Sequence, residues 1–296
     1  MNAPQRGFTL VEAVMVMVIT GILGGMVTVF IGGPMRSYID SANRGEMADS
    51  ADLALRRMAR EIRLALPNSI RVTSAGARTS IEFLLMKTGG RYWAVDDPVA
   101  GDFLRFPLDP ADAADVAAAA ADVSFDVVGA MPDGRQQIVA GDSIVVYNLG
   151  PGMAPADAYN CSGACNRAVI SAVAGNKVTL ASNPFAAQNP VMASPGNRFQ
   201  VLSTPVSYDC NGAAGGAGQL IRHSNYPISA AQNLPPTGTG LRSSVLANNV
   251  VSCVFQYGNL TTTRSGLVGL TLTLQVPGSA DGALTLSQQV HVDNTP

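Results

Sequence analysis

The residue types that could take part in chemistry come together near the N-terminus, in the stretch QRGFTLVEAV. Gly7 and Phe8 precede a single carboxylate, Glu12, which stands at the start of a long apolar run. A carboxylate inside a membrane segment costs about 2.5–3.5 kcal/mol on insertion scales and usually marks a contact with a partner. The simpler alternative is that Glu12 stays hydrated at the headgroup boundary.

The element that must position these residues is the apolar run from Ala13 to Met35, which contains no Asp, Glu, Lys or Arg. As a helix it would span roughly 34 Å, enough to cross a hydrocarbon core of ~30 Å. Its C-terminal end lacks the A-x-A pattern of a secretory cleavage site, so we expect it to be retained as a membrane helix.

Small residues within this run suggest how the helix is used. Gly21 and Gly25 form a G-x-x-x-G pair, a spacing that lets membrane helices approach closely, although glycine is also generally frequent in membrane helices. Gly32, Gly33 and Pro34 are expected to bend or locally melt the helix, because proline removes a backbone donor and clashes with the preceding turn.

The order Gly-Phe-Thr-Leu-Val-Glu before an uncharged run closely resembles the class III signal of type IV pilins and type II secretion pseudopilins. The resemblance implies that a membrane prepilin peptidase/methyltransferase cuts between Gly7 and Phe8 and methylates the new terminus, so that N-methyl-Phe8 begins the mature chain. It also implies that Glu12 meets the cationic terminus of an adjacent subunit, which would neutralise two costly charges in lipid. A cytoplasmic N-terminus, rather than any charge asymmetry, follows from the same resemblance.

An amphipathic helix is predicted beyond Pro34, reaching about Leu66 and stopped by Pro67-Asn68. Arg57 can pair with Glu61 one turn later. A stripe of arginines opposite the apolar face could contact DNA, but a solvated face or a subunit contact is far more common. The apolar stripe consists of Ala48, Ala51, Leu55, Met58, Ala59, Ile62 and Leu66, and the arginine stripe of Arg56, Arg60 and Arg63.

From Ser69 onward, runs rich in Val, Ile, Thr and aromatic residues alternate with turn clusters, which predicts an antiparallel β body. The fold class is therefore α+β: a long N-terminal helix, half membrane-spanning and half amphipathic, packed on an enlarged antiparallel body. We expect DFLRF (102–106) to be a strand, AGNK (174–177) a hairpin turn, and the Ala/Asp-rich 109–122 a short helix or surface insertion. The predicted domains are a leader (1–7), a transmembrane and filament-core helix (8–35), an amphipathic helix (36–66) and a periplasmic or extracellular body (67–296).

Four cysteines in an exported chain fit two disulfides, and three pairings are possible. We favour Cys161–Cys165 with Cys210–Cys253. A zinc site is the rival interpretation, but the C-x-x-x-C spacing and the lack of a nearby histidine argue against it.

Composition and motifs exclude several function classes. The 19 Lys+Arg against 21 Asp+Glu argue against nucleic acid as the main partner. The chain has two histidines, His223 and His291, and no G-x-S-x-G, H-E-x-x-H or Walker A motif. We expect both histidines at exposed strand positions, no enzymatic activity, and neither a metal nor a cofactor.

Three stretches (54–72, 206–224 and 289–296) resemble the large MshO-type minor pilins of mannose-sensitive haemagglutinin pili, which are akin to the J-type minor pseudopilins of type II secretion. This resemblance implies a processed minor pilin that acts in initiation or tip-proximal assembly. Its partners would be the peptidase, other major and minor pilins, the inner-membrane assembly platform, and the membrane before assembly. The alternatives are a tip adhesin that binds a sugar or surface and a type II secretion minor pseudopilin. The expected location is the bacterial inner membrane, crossed once, and the pilus after assembly.

Overall fold

The computed structural model describes residues 7–97, 101–161, 163–258, 265–277 and 282–296. It confirms the α+β class, with one long helix followed by a large antiparallel sheet. The chain divides into two compact units, Met1–Asp49 and Ser50–Pro296.

The N-terminal helix, α1, runs from Leu10 to Ile62 and is 53 residues long. Residues 32–34 lie within it, so the predicted local melting does not occur. The helix ends at Ile62 rather than near Leu66. By Leu66 the backbone already bonds to the sheet, with its N–H 2.8 Å from the carbonyl oxygen of Leu84.

The last third of α1 buries the apolar stripe that the sequence predicts. Ala51, Met58 and Ile62 are fully buried, while Ala48 is only half-buried. Each large side chain buried in this way contributes about 1.5–3 kcal/mol. The predicted arginine stripe is exposed, and Arg57 Nε lies 3.4 Å from Glu61 Oε1, as expected for a pair one turn apart.

Among its described residues the body contains eleven strands and one further α-helix, and every pair of neighbouring strands is antiparallel. Their bounds in chain order are β1 (Arg71–Ala75), β2 (Arg78–Arg91), α2 (Ala113–Ala121), β3 (Ser124–Asp126), β4 (Ser143–Val145), β5 (Arg167–Ala174), β6 (Lys177–Leu180), β7 (Arg198–Asn211), β8 (Gly218–Ser224), β9 (Arg242–Tyr257), β10 (Ser265–Leu274) and β11 (Leu284–Asp293).

Strand β7 is the branch point of the sheet. Along one side it pairs with β2 over the whole strand. Along the other side its first part pairs with β4 and its second part with β8. Two arms result, β8-β9-β10-β11 and β4-β5-β6-β3.

The β4-β5-β6-β3 arm has a hydrophobic core of its own. Phe125 and Phe199 meet edge to face with ring centroids 5.4 Å apart, and Phe106 lies 5.4 Å from Phe185. Tyr92 is buried in the same cluster, whereas its neighbour Trp93 is half-buried, as alternation along an extended chain requires.

Three local predictions in the body have mixed outcomes. The AGNK hairpin is confirmed, because Ala174 pairs with Lys177 and Gly175 takes a φ of 59° that glycine tolerates. The Ala/Asp-rich segment is confirmed as a helix, with the Asp112 side chain accepting from the Ala114 N–H as N-cap. The DFLRF prediction is wrong, because Phe103 forms only an isolated bridge with Trp93.

Candidate functional site

The segment that carries the predicted processing site lies just before α1 and outside any helix or strand. Residues 7–9 are outside the helix, and Phe8 is 80% exposed. A Cβ built on Gly7 would meet no atom within 4 Å. Nothing in the described part of the chain therefore demands glycine here, and any selection for it must come from a partner.

Thr9 caps the helix and places Glu12 in its first turn. The Glu12 N–H lies 3.3 Å from the Thr9 hydroxyl oxygen and 3.1 Å from the Thr9 carbonyl oxygen. This is the side-chain-to-backbone half of a capping box, with threonine three residues before glutamate. The Glu12 side chain is exposed, so it is available to another molecule.

The segment Leu10–Phe30 is long and apolar enough to cross a membrane, with a mean hydropathy of 2.3 and none of it buried within the protein. Its large apolar side chains are each at least 50% exposed. The hydroxyls of Thr20 and Thr28 donate to carbonyls one turn earlier, at 2.6 Å to Val16 and 2.8 Å to Gly24. The threonine hydroxyls of this segment therefore have hydrogen-bond acceptors within the same helix, as a nonpolar surrounding requires.

Gly21 and Gly25 leave open surface on this helix. A Cβ added at either position would meet nothing within 4 Å. Neither glycine is required by a contact within the described chain, which leaves the predicted helix–helix contact as a use for them.

Comparison with protein families assigns this N-terminal region. Residues 2–28 match the family model described as the prokaryotic N-terminal methylation motif. The chain carries the class III signal of type IV pilins and pseudopilins. It is therefore a pilin-like or pseudopilin-like substrate of prepilin peptidase, with an apolar N-terminal helix suited to membrane anchoring.

The match covers the signal and the apolar helix but not the β body. No curated protein matches the chain significantly, and no solved structure does. The body must therefore be interpreted from its own residues.

A half-buried ion pair holds the amphipathic end of α1 to the sheet. Glu61 Oε2 accepts from the Tyr208 hydroxyl at 2.7 Å and from Arg222 Nε at 2.8 Å. Burial, together with the negative charge of Glu61, raises the pKa of Tyr208 well above its ordinary value, so the phenol stays a donor. The helix is thereby fixed to β7 and β8 by a charged contact as well as by its apolar stripe.

The opposite face of the sheet carries a second buried cluster. Arg71 Nη2 lies 2.9 Å from Glu82 Oε2, and the Arg71 guanidinium stacks 3.7 Å from the ring centroid of Tyr159. The Tyr226 hydroxyl donates to Glu82 at 3.0 Å. Burial raises the pKa of Glu82 even though the Arg71 charge acts in the opposite direction.

A third cluster corrects the prediction that His223 is exposed. His223 is buried, with Nδ1 2.7 Å from the Ser243 hydroxyl and Nε2 3.5 Å from Asp209 Oδ2. Asp209 is fully buried and accepts a bidentate contact from Arg78. Burial raises the pKa of the Asp209 carboxyl, but the hydrogen bonds from Arg78 and the nearby His223 outweigh that effect and lower it overall.

Sequence reasoning missed these clusters, apart from the Arg57–Glu61 pair within one helix. Their members lie far apart in the chain, such as Arg78 and Asp209, and each sits in an ordinary strand pattern. The signal that could have found them is a charged residue at an inward strand position, as for Glu82 in SIEFLL.

The two disulfides are Cys161–Cys165 and Cys210–Cys253, the pairing favoured from the sequence. The second joins β7 to β9, two strands that both pair with β8. Because all four sulfurs are in disulfides, they are not available as the thiolates that a zinc site would need.

Proposed function

We propose that the chain is a minor pilin of a type IV pilus, of the MshO type found in mannose-sensitive haemagglutinin pili, acting in initiation or tip-proximal assembly. The observation that carries the proposal is the methylation motif at residues 2–28, joined through one helix to a large disulfide-bonded body. The proposal gives the chain no catalytic role.

Processing comes first in this proposal. Prepilin peptidase cuts after Gly7 and methylates Phe8. Exposed residues outside the helix favour cutting at this point, because a peptidase can reach them without unwinding α1. The test is mass spectrometry of assembled fibres, which should find a chain that begins at methylated Phe8. A chain that still carries Met1 in assembled fibres would overturn the assignment.

Variants at the cut site sharpen this test. Gly7→Ala should slow cleavage only modestly, whereas Gly7→Leu should block it, because a peptidase subsite fitted to glycine has little spare room. The space around Gly7 within the chain is open, so neither change should disturb the fold. Equal cleavage of both variants would contradict a glycine-specific subsite.

Docking follows processing. Glu12 is the only charged residue between positions 8 and 35. A neighbouring pilin brings an α-ammonium group, and pairing it with Glu12 removes the desolvation penalty of both charges. The exposed apolar surface of Leu10–Phe30 is covered by lipid before assembly and by neighbouring helices after it.

The size of the body favours low copy number. A unit of roughly 230 residues has a radius of gyration of about 17 Å, which is bulky for a subunit repeated along a thin fibre. Because Glu12 is present, the subunit can still accept the terminus of another pilin. We therefore place it in the small complex that initiates the fibre, just beneath its extreme end.

Deleting the chain separates this proposal from its alternatives. The assembly role requires few or no fibres by electron microscopy, with recovery when the gene is supplied in trans. Normal fibres that fail to attach to a surface would favour a tip adhesin. Normal fibres with a defect in protein secretion would favour a type II secretion minor pseudopilin.

A further inference from the structure

An open cleft of about 420 Å³ lies in the body. Its walls come from five separate segments: the residues just after α1, the second half of β2, Gln136, the start of β7, and residues 293 and 295. The polar lining residues used below are Arg63, Lys87, Arg198, Gln200 and Asp293, with Leu64 as an apolar wall.

Three basic side chains, Arg63, Lys87 and Arg198, line this cleft, and the two arginines have no anionic partner among the described residues. Lys87 Nζ lies 2.8 Å from Asp142 Oδ2, so this lysine is already neutralised. In the part of the chain that the structure describes, neither Arg63 nor Arg198 takes part in an ion pair. Counting Arg63, Lys87 and Arg198 against Asp142 and Asp293 leaves a net charge of about +1.

The position of Lys87 follows from an irregularity in the sheet. Met86 pairs with Leu202 and Thr88 with Val201, so Lys87 has no partner on β7. Such a bulge changes the direction of the side chain at the extra residue. That residue is Lys87, which lines the cleft.

The cleft wall also contains a hydrogen-bond acceptor that has no partner within the described part of the chain. Gln200 Oε1 is buried and has no hydrogen-bond partner among the described residues. Buried polar atoms normally have a partner, and this one calls for a donor such as a hydroxyl group. Half-exposed Leu64 offers an apolar surface next to these polar groups.

We propose that this cleft binds a hydroxylated carboxylate, the chemical class of uronic and other acidic sugars. The guanidinium groups of Arg63 and Arg198 match a carboxylate in shape and charge. A net charge of about +1 suits one carboxylate better than a doubly charged phosphate. The Gln200 amide oxygen is covered by protein atoms in this structure, and it accepts from a ligand hydroxyl after the side-chain amide turns toward the cleft. The cleft volume lies within the range of small-ligand sites.

The experiment titrates the full-length chain in detergent micelles with glucuronate, and with glucose and inorganic phosphate as comparison ligands. Glucuronate should bind, and glucose and phosphate should each bind at least about tenfold more weakly, since a charge-assisted contact is worth that much. Arg63→Gln and Arg198→Gln should each weaken glucuronate binding about tenfold. The control Arg242→Gln changes an exposed arginine outside the cleft and should leave binding unchanged.

Several outcomes would overturn the proposal. One is equal binding of glucuronate and glucose, which would remove the role of the carboxylate. Another is equal binding of phosphate. A third is tighter binding of an acidic peptide, which would make the cleft a protein contact. Retained affinity in both cleft variants would place the ligand elsewhere, and the absence of glucuronate binding would end the inference.

Discussion

Met17 and Met58 lie on the same helix, yet Met17 is 73% exposed and Met58 is fully buried. Around Met17 the apolar residues face outward on every side of the helix. Around Met58 they form one stripe, with arginines on the far side. A helix apolar on all sides needs a nonpolar surrounding supplied from outside the chain, whereas an amphipathic one is completed by its own protein.

This difference teaches where each half of α1 gets its stability. In the proposed function the first half depends on lipid and on other subunits, and the methylation motif lies there. The last third depends on the sheet, through its apolar stripe and the Glu61 contacts with Tyr208 and Arg222. Mutations in the two halves should therefore fail in different assays.

The largest effect is expected at Glu12. Glu12→Ala should abolish or sharply reduce fibres, because the α-ammonium of the next subunit loses its partner in lipid. Cleavage and body stability should be unchanged, as judged by mass spectrometry and by unfolding of the purified chain. Glu46→Ala, an exposed acid on the same helix, is the control and should leave fibre number normal. Equal loss of fibres in both variants would argue against a specific docking charge.

Next come the disulfides, which lie in the body alone. Replacing Cys210 and Cys253 by serine should lower the free energy of unfolding by about 4 kcal/mol from loop entropy. The same change at Cys161 and Cys165 should cost about 2 kcal/mol, because only 4 rather than 43 positions separate the pair. Urea unfolding in micelles measures both.

The first of these pairs also separates the two halves of α1. In the Cys210→Ser, Cys253→Ser variant, β-sheet circular dichroism should be lost at lower urea concentration, while helical signal from the apolar segment should persist in micelles. Simultaneous loss of both signals would show that the segment depends on the body.

The two methionines test the comparison directly. Met58→Ala should destabilise the body by about 2–4 kcal/mol, because it leaves a cavity in a filled core. Met17→Ala, the same chemical change at an exposed position, should shift the free energy of unfolding by less than about 0.5 kcal/mol. The comparison breaks down if the two variants unfold at the same urea concentration.

The smallest effect is expected from the Arg78–Asp209 pair. Because the folded pKa of Asp209 is lowered, this carboxylate contributes stability above its ordinary pKa of 3.8 and loses that contribution as pH falls through the folded value. Arg78→Gln should cost about 1–2 kcal/mol at neutral pH, since Arg78 is itself partly exposed.

The difference between the Arg78→Gln and unmodified chains should shrink as the pH falls below Asp209's lowered pKa. Urea midpoints at pH 7 and in acid provide the measurement, with exposed Arg60→Gln as a control. A constant difference at every pH would show that Arg78 acts by packing and not through the charge of Asp209.

The sequence predicted those features of the fold that residues close together in the chain determine. The stripe around Met58, the Gly175 turn and the helix in the Ala-rich segment all depend on neighbours within a few residues, and all three are seen. The uninterrupted helix at Pro34 differs from expectation because one missing hydrogen bond is a small fraction of a 53-residue helix.

Features set by distant segments could not be predicted in this way. DFLRF has a strand-like pattern, but a strand also needs a partner of matching length, and only an isolated bridge forms at Phe103. His223 sits in an ordinary strand pattern, yet Asp209 and Ser243 on the flanking strands enclose it. The methylation motif was predictable because it is recognised in the linear sequence, and cleavage at Gly7 stays a prediction.

The start of α1 at Leu10, capped by Thr9, has an electrostatic consequence. The first turn of a helix carries a partial positive charge from its unpaired N–H groups, which favours an acid such as Glu12 and disfavours a cation. In the proposed mature chain the α-ammonium of Phe8 lies two residues before that turn, where its own helix repels it by roughly 0.3–1 kcal/mol. Methylation leaves that charge in place. Glu12 of another subunit stands in a first turn with the same partial positive charge, so the attraction between chains has to come from its carboxylate and not from the helix dipole.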